Sequence, residues 1–184
     1  DDNTSTTTTT TSTTATYLAI LDHEGDLNVA IANMDIFQHI PIPSPSTLQH
    51  ADILVLDANP PMESLLTAAQ TAVSTNTRVF FEPTSVPKAV EAGKYEEFIK
   101  CLTYACPNLD ELLAMADGWT DTDLEIHEAK RDGWKTCKLA AKELLLQMQP
   151  TAHVIVTLGT DGVMLCSKRA SECSAMSPKE LEEE

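Results

Sequence analysis

The sequence predicts an α/β fold on a mostly parallel sheet, and three observations predict it. Short apolar runs, Ile53–Leu56, Arg78–Phe81, Cys101–Ala105 and Val154–Val156, alternate with longer stretches of helical period. That alternation is the pattern of strands joined by crossover helices. Each run is followed by polar residues, as the ligand-binding end of a parallel strand requires. Finally, Val154–Leu165 reads as strand, sharp turn, strand, with Gly159 and Gly162 bracketing the turn. Glycine lets the backbone adopt positive φ there or come close to a ligand. On those twelve residues alone, a plain β-hairpin and a ligand loop fit equally.

In chain order, residues 1–14 are Asp, Asn, Ser and mostly Thr. They offer nothing apolar to offset the entropy of ordering, so the segment reads as disordered. Tyr17–Leu21 and Leu27–Ala32 form a hairpin about a turn at Gly25, and the alternation of the returning strand predicts one wet face. Pro41, Pro43 and Pro45 break that pattern, and Ser46–Gln49 reads as one helical turn. The continuous run Ile53–Leu56 suggests a strand covered on both faces. Pro60 and Pro61 then start a helix over Met62–Ser74 whose inner face is Leu65, Leu66, Ala69 and Val73. Tyr95–Lys100 reads as a helix end, and Leu109–Ala116 as a helix capped by Asn108. The structure of Gly118–Gly133 stays open. Trp134–Met148 reads as a helix with Leu139, Leu144 and Leu145 inward, ended by Pro150. After Cys166 the chain turns polar, and 171–184 reads as an acidic, solvated tail.

The 184 residues suit one main domain. Twelve basic residues against twenty-eight acidic give a net charge of −16. Nucleic acid and anionic membranes are poor partners for such a chain, because both are held by Lys and Arg. A small anionic ligand remains compatible, because backbone N–H groups at a helix start can hold it. Five cysteines without a C-x-x-C predict reduced thiols, with neither disulfide nor zinc, and a cytoplasmic location. No apolar stretch approaches the roughly 20 residues of a membrane helix.

Candidate chemistry lies at the strand ends. Asp57 and Asn59, Glu82 and Thr84, Asn108 and Glu111, and Thr157 and Gly159 follow four successive strands. Each has a plain alternative: Asn108 as a helix cap, Glu111 as a partner of the helix dipole. Four together along one edge of a parallel sheet point to a site.

Pro107-Asn108-Leu109-Asp110-Glu111 matches the Asn-x-x-Glu motif of ribokinase-like, PfkB-type sugar and nucleoside kinases. Thr157-Leu158-Gly159-Thr160-Asp161-Gly162 resembles that family's nucleotide-binding turn. The hairpin followed by Asn33-Met34-Asp35 resembles its β-lid. Within the family, Ala32–Ile36, Leu56–Asn59 and Phe81–Val86 look most like pseudouridine kinases. The resemblance runs from about Ala15 to Cys166. It implies a three-layer α/β/α fold with a small lid (15–40) and a partial core (41–170). It also implies transfer of the ATP γ-phosphoryl to a sugar hydroxyl, the 5′-hydroxyl of pseudouridine in the nearest subfamily. Under it, Asn108 and Glu111 would organise Mg²⁺, and Thr157, Gly159 and Gly162 would contact ATP. Asn33, Asp35, Asp57, Asn59 and Glu82 would face the sugar or nucleoside. A homodimer, or fusion to a pseudouridine-phosphate glycosidase, is the implied form of the parent protein. The family's Gly-Ala-Gly-Asp segment, with its catalytic base, and its N-terminal Gly-Gly segment have no match here. The chain therefore resembles the interior of a kinase domain, incomplete at both ends, in which Ile53–Leu56 and Val154–Val156 present apolar faces and unpaired edges. The competing expectations are a non-catalytic nucleotide- or nucleoside-binding remnant and a ligand-free α/β interaction module.

Overall fold

The computed structural model of the chain describes residues 14–25, 27–116, 133–169 and 172–176. The Thr-rich segment, most of the acidic stretch before Trp134 and the last eight residues lie outside them. The chain divides into two compact units, Asp1–Pro41 and Ile42–Glu184.

In the first unit, β1 (Thr16–Leu21) pairs antiparallel with β2 (Leu27–Asn33). Gly25, at φ 92°, closes the turn, and its N–H donates to the Asp22 carbonyl at 3.2 Å. The register sets Leu18 opposite Ile31 and Ile20 opposite Val29, so these four share one face. The expected alternation is therefore present, but the apolar face is open too: each of the four is at least 45% exposed. A 3-10 helix, Asp35–His39, follows.

The second unit is a six-stranded sheet in the order β3-β4-β5-β6-β7-β8. Strands β3 (Ile53–Asp57), β4 (Arg78–Glu82), β5 (Tyr104–Ala105) and β6 (His153–Thr157) run parallel. Then β7 (Val163–Ser167) and β8 (Glu172–Met176) add antiparallel. The helices between them are α1 (Pro45–Leu48), α2 (Met62–Ser74), α3 (Val86–Gly93), α4 (Glu96–Ile99), α5 (Leu109–Ala116) and α6 (Gly133–Gln147). This is the mostly parallel α/β architecture that the alternation predicts.

All six helices contribute side chains to one core cluster, together with one face of the sheet. By register that face carries Leu54, Leu56, Val79, Phe81, Ala105, Val154, Val156, Met164 and Cys166. From Val79 onward these residues are all buried. Burying each large apolar side chain is worth roughly 1.5–3 kcal/mol, so this face is where the sheet gains its stability. The opposite face is different. Ile53, Val55 and Leu165 are exposed there, and a half-buried row, Phe80–Tyr104–His153, stacks across three strands.

Several expectations are corrected. Strand β3 is an edge strand with one open face, Val55 being 65% exposed, because the helices pack only on its Leu54/Leu56 side. Val154 and Val156 are fully buried between β5 and β7 rather than exposed. On α2 the buried residues are Met62, Leu65, Ala68, Ala69 and Ala72, leaving Val73 outside them at 43% exposure. On α6 the buried stripe is Cys137, Ala140, Ala141, Leu144 and Leu145, continued by Met148 just past the helix, a 3–4 spacing that leaves Leu139 outward. Strand β5 is shorter than Cys101–Ala105, because the N–H groups of Cys101 and Leu102 are taken by turn bonds to Phe98 and Ile99.

The polarity of 172–176 gives no strand signal, yet β8 forms there and sets Cys166 directly opposite Cys173. The two make a disulfide, against the expectation of five reduced thiols. A separation of seven residues across a hairpin is not a motif that spacing rules detect. Cys101, Cys106 and Cys137 are free, and burial pushes the Cys137 thiol up to about 11.

Candidate functional site

Parallel pairing in register carries β3 and β4 to the same end, with Asp57 beside Glu82. The Asp57 carboxylate accepts from the Asn59 backbone at 2.9 Å and from its side-chain amide at 2.8 Å. That fixes which way the amide points. Its oxygen then accepts from the ammonium of Lys88, in the first turn of α3. One residue past β4, Pro83 leads to Thr84, which sits at φ 70°. A β-branched residue in the left-handed region is a genuine outlier. Two bonds hold it: its N–H donates to Glu82 Oε1 at 3.0 Å, and its hydroxyl accepts from the Ala58 N–H at 3.1 Å. Such backbone strain concentrates at functional sites.

The next strand end adds Cys106, whose N–H donates to the Phe81 carbonyl at 2.9 Å. Burial first, then the negative charges of Glu82 and Glu111, raises its thiol pKa. Cys106 is thus within electrostatic reach of both carboxylates. At the start of α5 the expected cap is present in reciprocal form. Asn108 Oδ1 accepts from the Glu111 N–H at 2.9 Å, and Glu111 Oε2 accepts from the Asn108 N–H at 2.9 Å. This is a capping box built with Asn in place of Ser or Thr. Glu111 is only 4% exposed, so the box sets a carboxylate into the sheet edge rather than out in water.

Beyond β6, Thr157 forms an isolated parallel bridge with Asn108, its N–H donating to the Pro107 carbonyl at 3.1 Å. The turn follows as a 3-10 helix, Gly159–Asp161. Gly159 takes φ 59° and Gly162 φ 95°, ψ −139°. The Leu158 N–H closes the turn on the Gly162 carbonyl at 2.9 Å. At Gly162 a side chain would meet a region of backbone space that is essentially Gly-only. Gly162→Ala should therefore cost about 1–3 kcal/mol and loosen the turn. Chemical denaturation checks this; an unchanged midpoint would show that the turn relaxes freely.

The turn and the start of α5 face one another across a cleft of about 400 Å³, whose lining includes Asn108, Asp110, Trp134, Thr157, Gly159 and Asp161. A second cleft, of about 300 Å³, lies among α6, β7 and β8 beside Lys168 and Cys173. There the Lys168 ammonium is already bound to the carbonyls of Leu146 and Met148 at the end of α6.

The structure thus brings Asp57, Asn59, Glu82, Asn108, Glu111, Thr157 and Gly159 to one edge of one sheet, with Gly162 shaping the turn from behind. Asn33 and Asp35 belong to the first unit, where the Asp35 N–H donates to Asn33 Oδ1 at 3.3 Å. Sequence reasoning missed Lys88 and Trp134. A cation in the first turn of α3 is at the wrong end of the helix dipole, and that was the available signal for Lys88. Trp134 carries no comparable signal, since its approach to the turn depends on the packing of α6.

Fold and site together define an α/β protein whose polar edge lies at the C-terminal ends of its parallel strands. The chain belongs to the pfkB family carbohydrate kinases, whose family model matches residues 2–181. It is 28% identical to the pseudouridine kinase of Arabidopsis thaliana, an alignment covering 81% of this chain and 41% of that protein. The fold is ribokinase-like. Arabidopsis thaliana ribokinase, solved with ribose and ATP, superposes with a TM-score of 0.64 at 15% identity, over 88% of this chain and 47% of that one. Adenosine kinase from Schistosoma mansoni, with 2-fluoroadenosine, gives 0.65 at 16%, over 89% and 48%. The chain spans less than half the length of these relatives. Among the described residues, no helix is long and apolar enough to cross a membrane.

Proposed function

We propose that this chain forms the sheet-edge portion of an ATP-dependent carbohydrate kinase whose acceptor is a nucleoside, the 5′-hydroxyl of pseudouridine. The carrying observation is the cleft in which the Asn108 end of α5 faces the Gly159 turn. Phosphoryl transfer depends on positioning and on electrostatic stabilisation of the phosphates. The turn offers backbone N–H groups, and Thr157 a hydroxyl, to phosphate oxygens. The residues at the ends of β3 and β4 supply the carboxylates and amide that a sugar or nucleoside needs. The curated likeness to a pseudouridine kinase supports the nucleoside over other sugars.

Magnesium would enter with ATP. Among the described residues there is no group of three His, Cys, Asp or Glu that could cage a metal. The oxygen donors of Asn108 and Glu111 nevertheless fit a magnesium ion that keeps most of its water and leans on one carboxylate and the phosphates. When bound, the ion would neutralise charge developing on the transferred group. The chain's own contribution is the buried Glu111 carboxylate, held in place by the Asn108 N–H.

Two substitutions separate the roles of Glu111. Glu111→Gln keeps an oxygen for the Asn108 N–H and removes the charge. Gln also serves at this position of a capping box, so stability should fall by no more than about 1 kcal/mol, while magnesium-dependent turnover by the complete kinase on pseudouridine falls by at least about tenfold. Glu111→Ala should also lose roughly 1 kcal/mol of stability with the cap. If Glu111→Gln leaves turnover intact at limiting magnesium, the carboxylate is a helix cap alone.

A further inference from the structure

We infer that Lys88 is a ligand-binding residue of the nucleoside side of this edge, donating to an acceptor oxygen, a hydroxyl or carbonyl, of the bound substrate. This rests on the kinase reading above and adds a residue to it. Lys88 is a half-buried residue in the first turn of α3, where the helix dipole disfavours a cation. Withdrawing a charge from water is costly unless it is paired or hydrogen-bonded. Here, among the described residues, no carboxylate lies within ion-pair distance of Lys88; the ion pairs found are His23–Glu24 and those of Lys100. Its recorded acceptor is the neutral Asn59 amide oxygen. An ammonium has three donors, so two remain after that bond.

The arrangement around it is directional. Asp57 holds the Asn59 amide by two bonds, and that amide turns its oxygen to Lys88. The chain Asp57–Asn59–Lys88 therefore spans from the end of β3 to the start of α3, across the end of β4. Asp57 and Glu82 are acceptor-only groups when ionised. They can accept hydrogen bonds from sugar hydroxyls but can donate none. Lys88 adds a charged donor to the neutral ones of the Asn59 amide and the Thr84 hydroxyl, and a ligand bearing carbonyls as well as hydroxyls can use it.

The test measures binding of pseudouridine, ribose and ATP to the 184-residue chain and its Lys88→Met and Lys88→Arg variants. Lys88→Met should weaken pseudouridine binding by about tenfold or more, as expected for a lost charged hydrogen bond. ATP affinity should stay unchanged, and Lys88→Arg should recover part of the loss. A merely structural lysine would move both ligands together. In the unmodified chain, isotope-labelled lysine NMR should show the Lys88 Nζ signal shifting on addition of pseudouridine. That readout stands even if Lys88→Met does not fold. Unchanged pseudouridine affinity in Lys88→Met, or a Lys88 signal indifferent to ligand, overturns the inference alone. A chain that binds ATP but neither pseudouridine nor ribose overturns the nucleoside reading of the strand ends, and Lys88 with it.

Discussion

Phe81→Ala is expected to lower the unfolding free energy by about 3–5 kcal/mol, a large share of the roughly 5–15 kcal/mol available to a domain. Phe81 is fully buried at the centre of the helix-covered face of β4. Its ring meets Phe98 of α4 edge-on, with centroids 4.9 Å apart. Truncation leaves a cavity lined by β4 and α4 and removes an aromatic pair worth about 0.5–1.5 kcal/mol beyond its area. The adjacent residue is Glu82, so loss of packing at Phe81 should reach the polar edge. Equilibrium denaturation measures the first effect. A cost under about 1 kcal/mol would mean that the core is loosely packed and collapses around the gap.

Gly93→Ala should be nearly as damaging, although alanine normally favours a helix over glycine by roughly 0.5–1 kcal/mol. A Cβ at position 93 would lie 2.5 Å from the Met115 carbonyl oxygen and 3.0 Å from its Cα. Those atoms are backbone, so they cannot rotate away. The helices α3 and α5 would have to separate, at about 1–3 kcal/mol or more beyond the lost propensity gain. The first turn of α5 holds the Asn108–Glu111 box, so the displacement should also weaken ATP binding at the cleft. Thermal unfolding together with an ATP titration checks both parts. A variant as stable as the parent would show that the two helices slide without strain.

The parallel core was legible because its signals are local. Runs of three or four residues between helical stretches found β3, β4 and β6. Composition at the strand ends found Asp57, Glu82, Asn108 and Thr157, which the structure places along one edge. Helix faces were read less well: Val73 and Leu139 are apolar but lie off the stripes set by Ala69/Ala72 and Ala140/Ala141. Alanine carries a weak hydrophobic signal, yet these helices use it to approach the sheet closely. The β6–β7 hairpin was legible from its glycine turn, but pairing beyond β7 was not. Strand β8 contains Glu172 and two serine or cysteine neighbours, and it becomes a strand through the ladder with β7. The Cys166–Cys173 bond follows from that ladder, not from any spacing in the sequence. The Lys88–Asn59 bond was likewise not legible, since it joins residues 29 positions apart.

The central claim is that one edge of this sheet has a nucleotide side, at the cleft between α5 and the Gly159 turn, and an acceptor side, at the ends of β3 and β4. Backbone amide NMR of the chain, titrated first with magnesium and ATP and then with pseudouridine, tests it directly. ATP should shift the amides of Asn108 and of Thr157 to Gly162, and pseudouridine those of Asp57 to Asn59, Glu82 to Thr84 and Lys88. Shifts scattered over the sheet, or both ligands perturbing the same residues away from these strand ends, would contradict it.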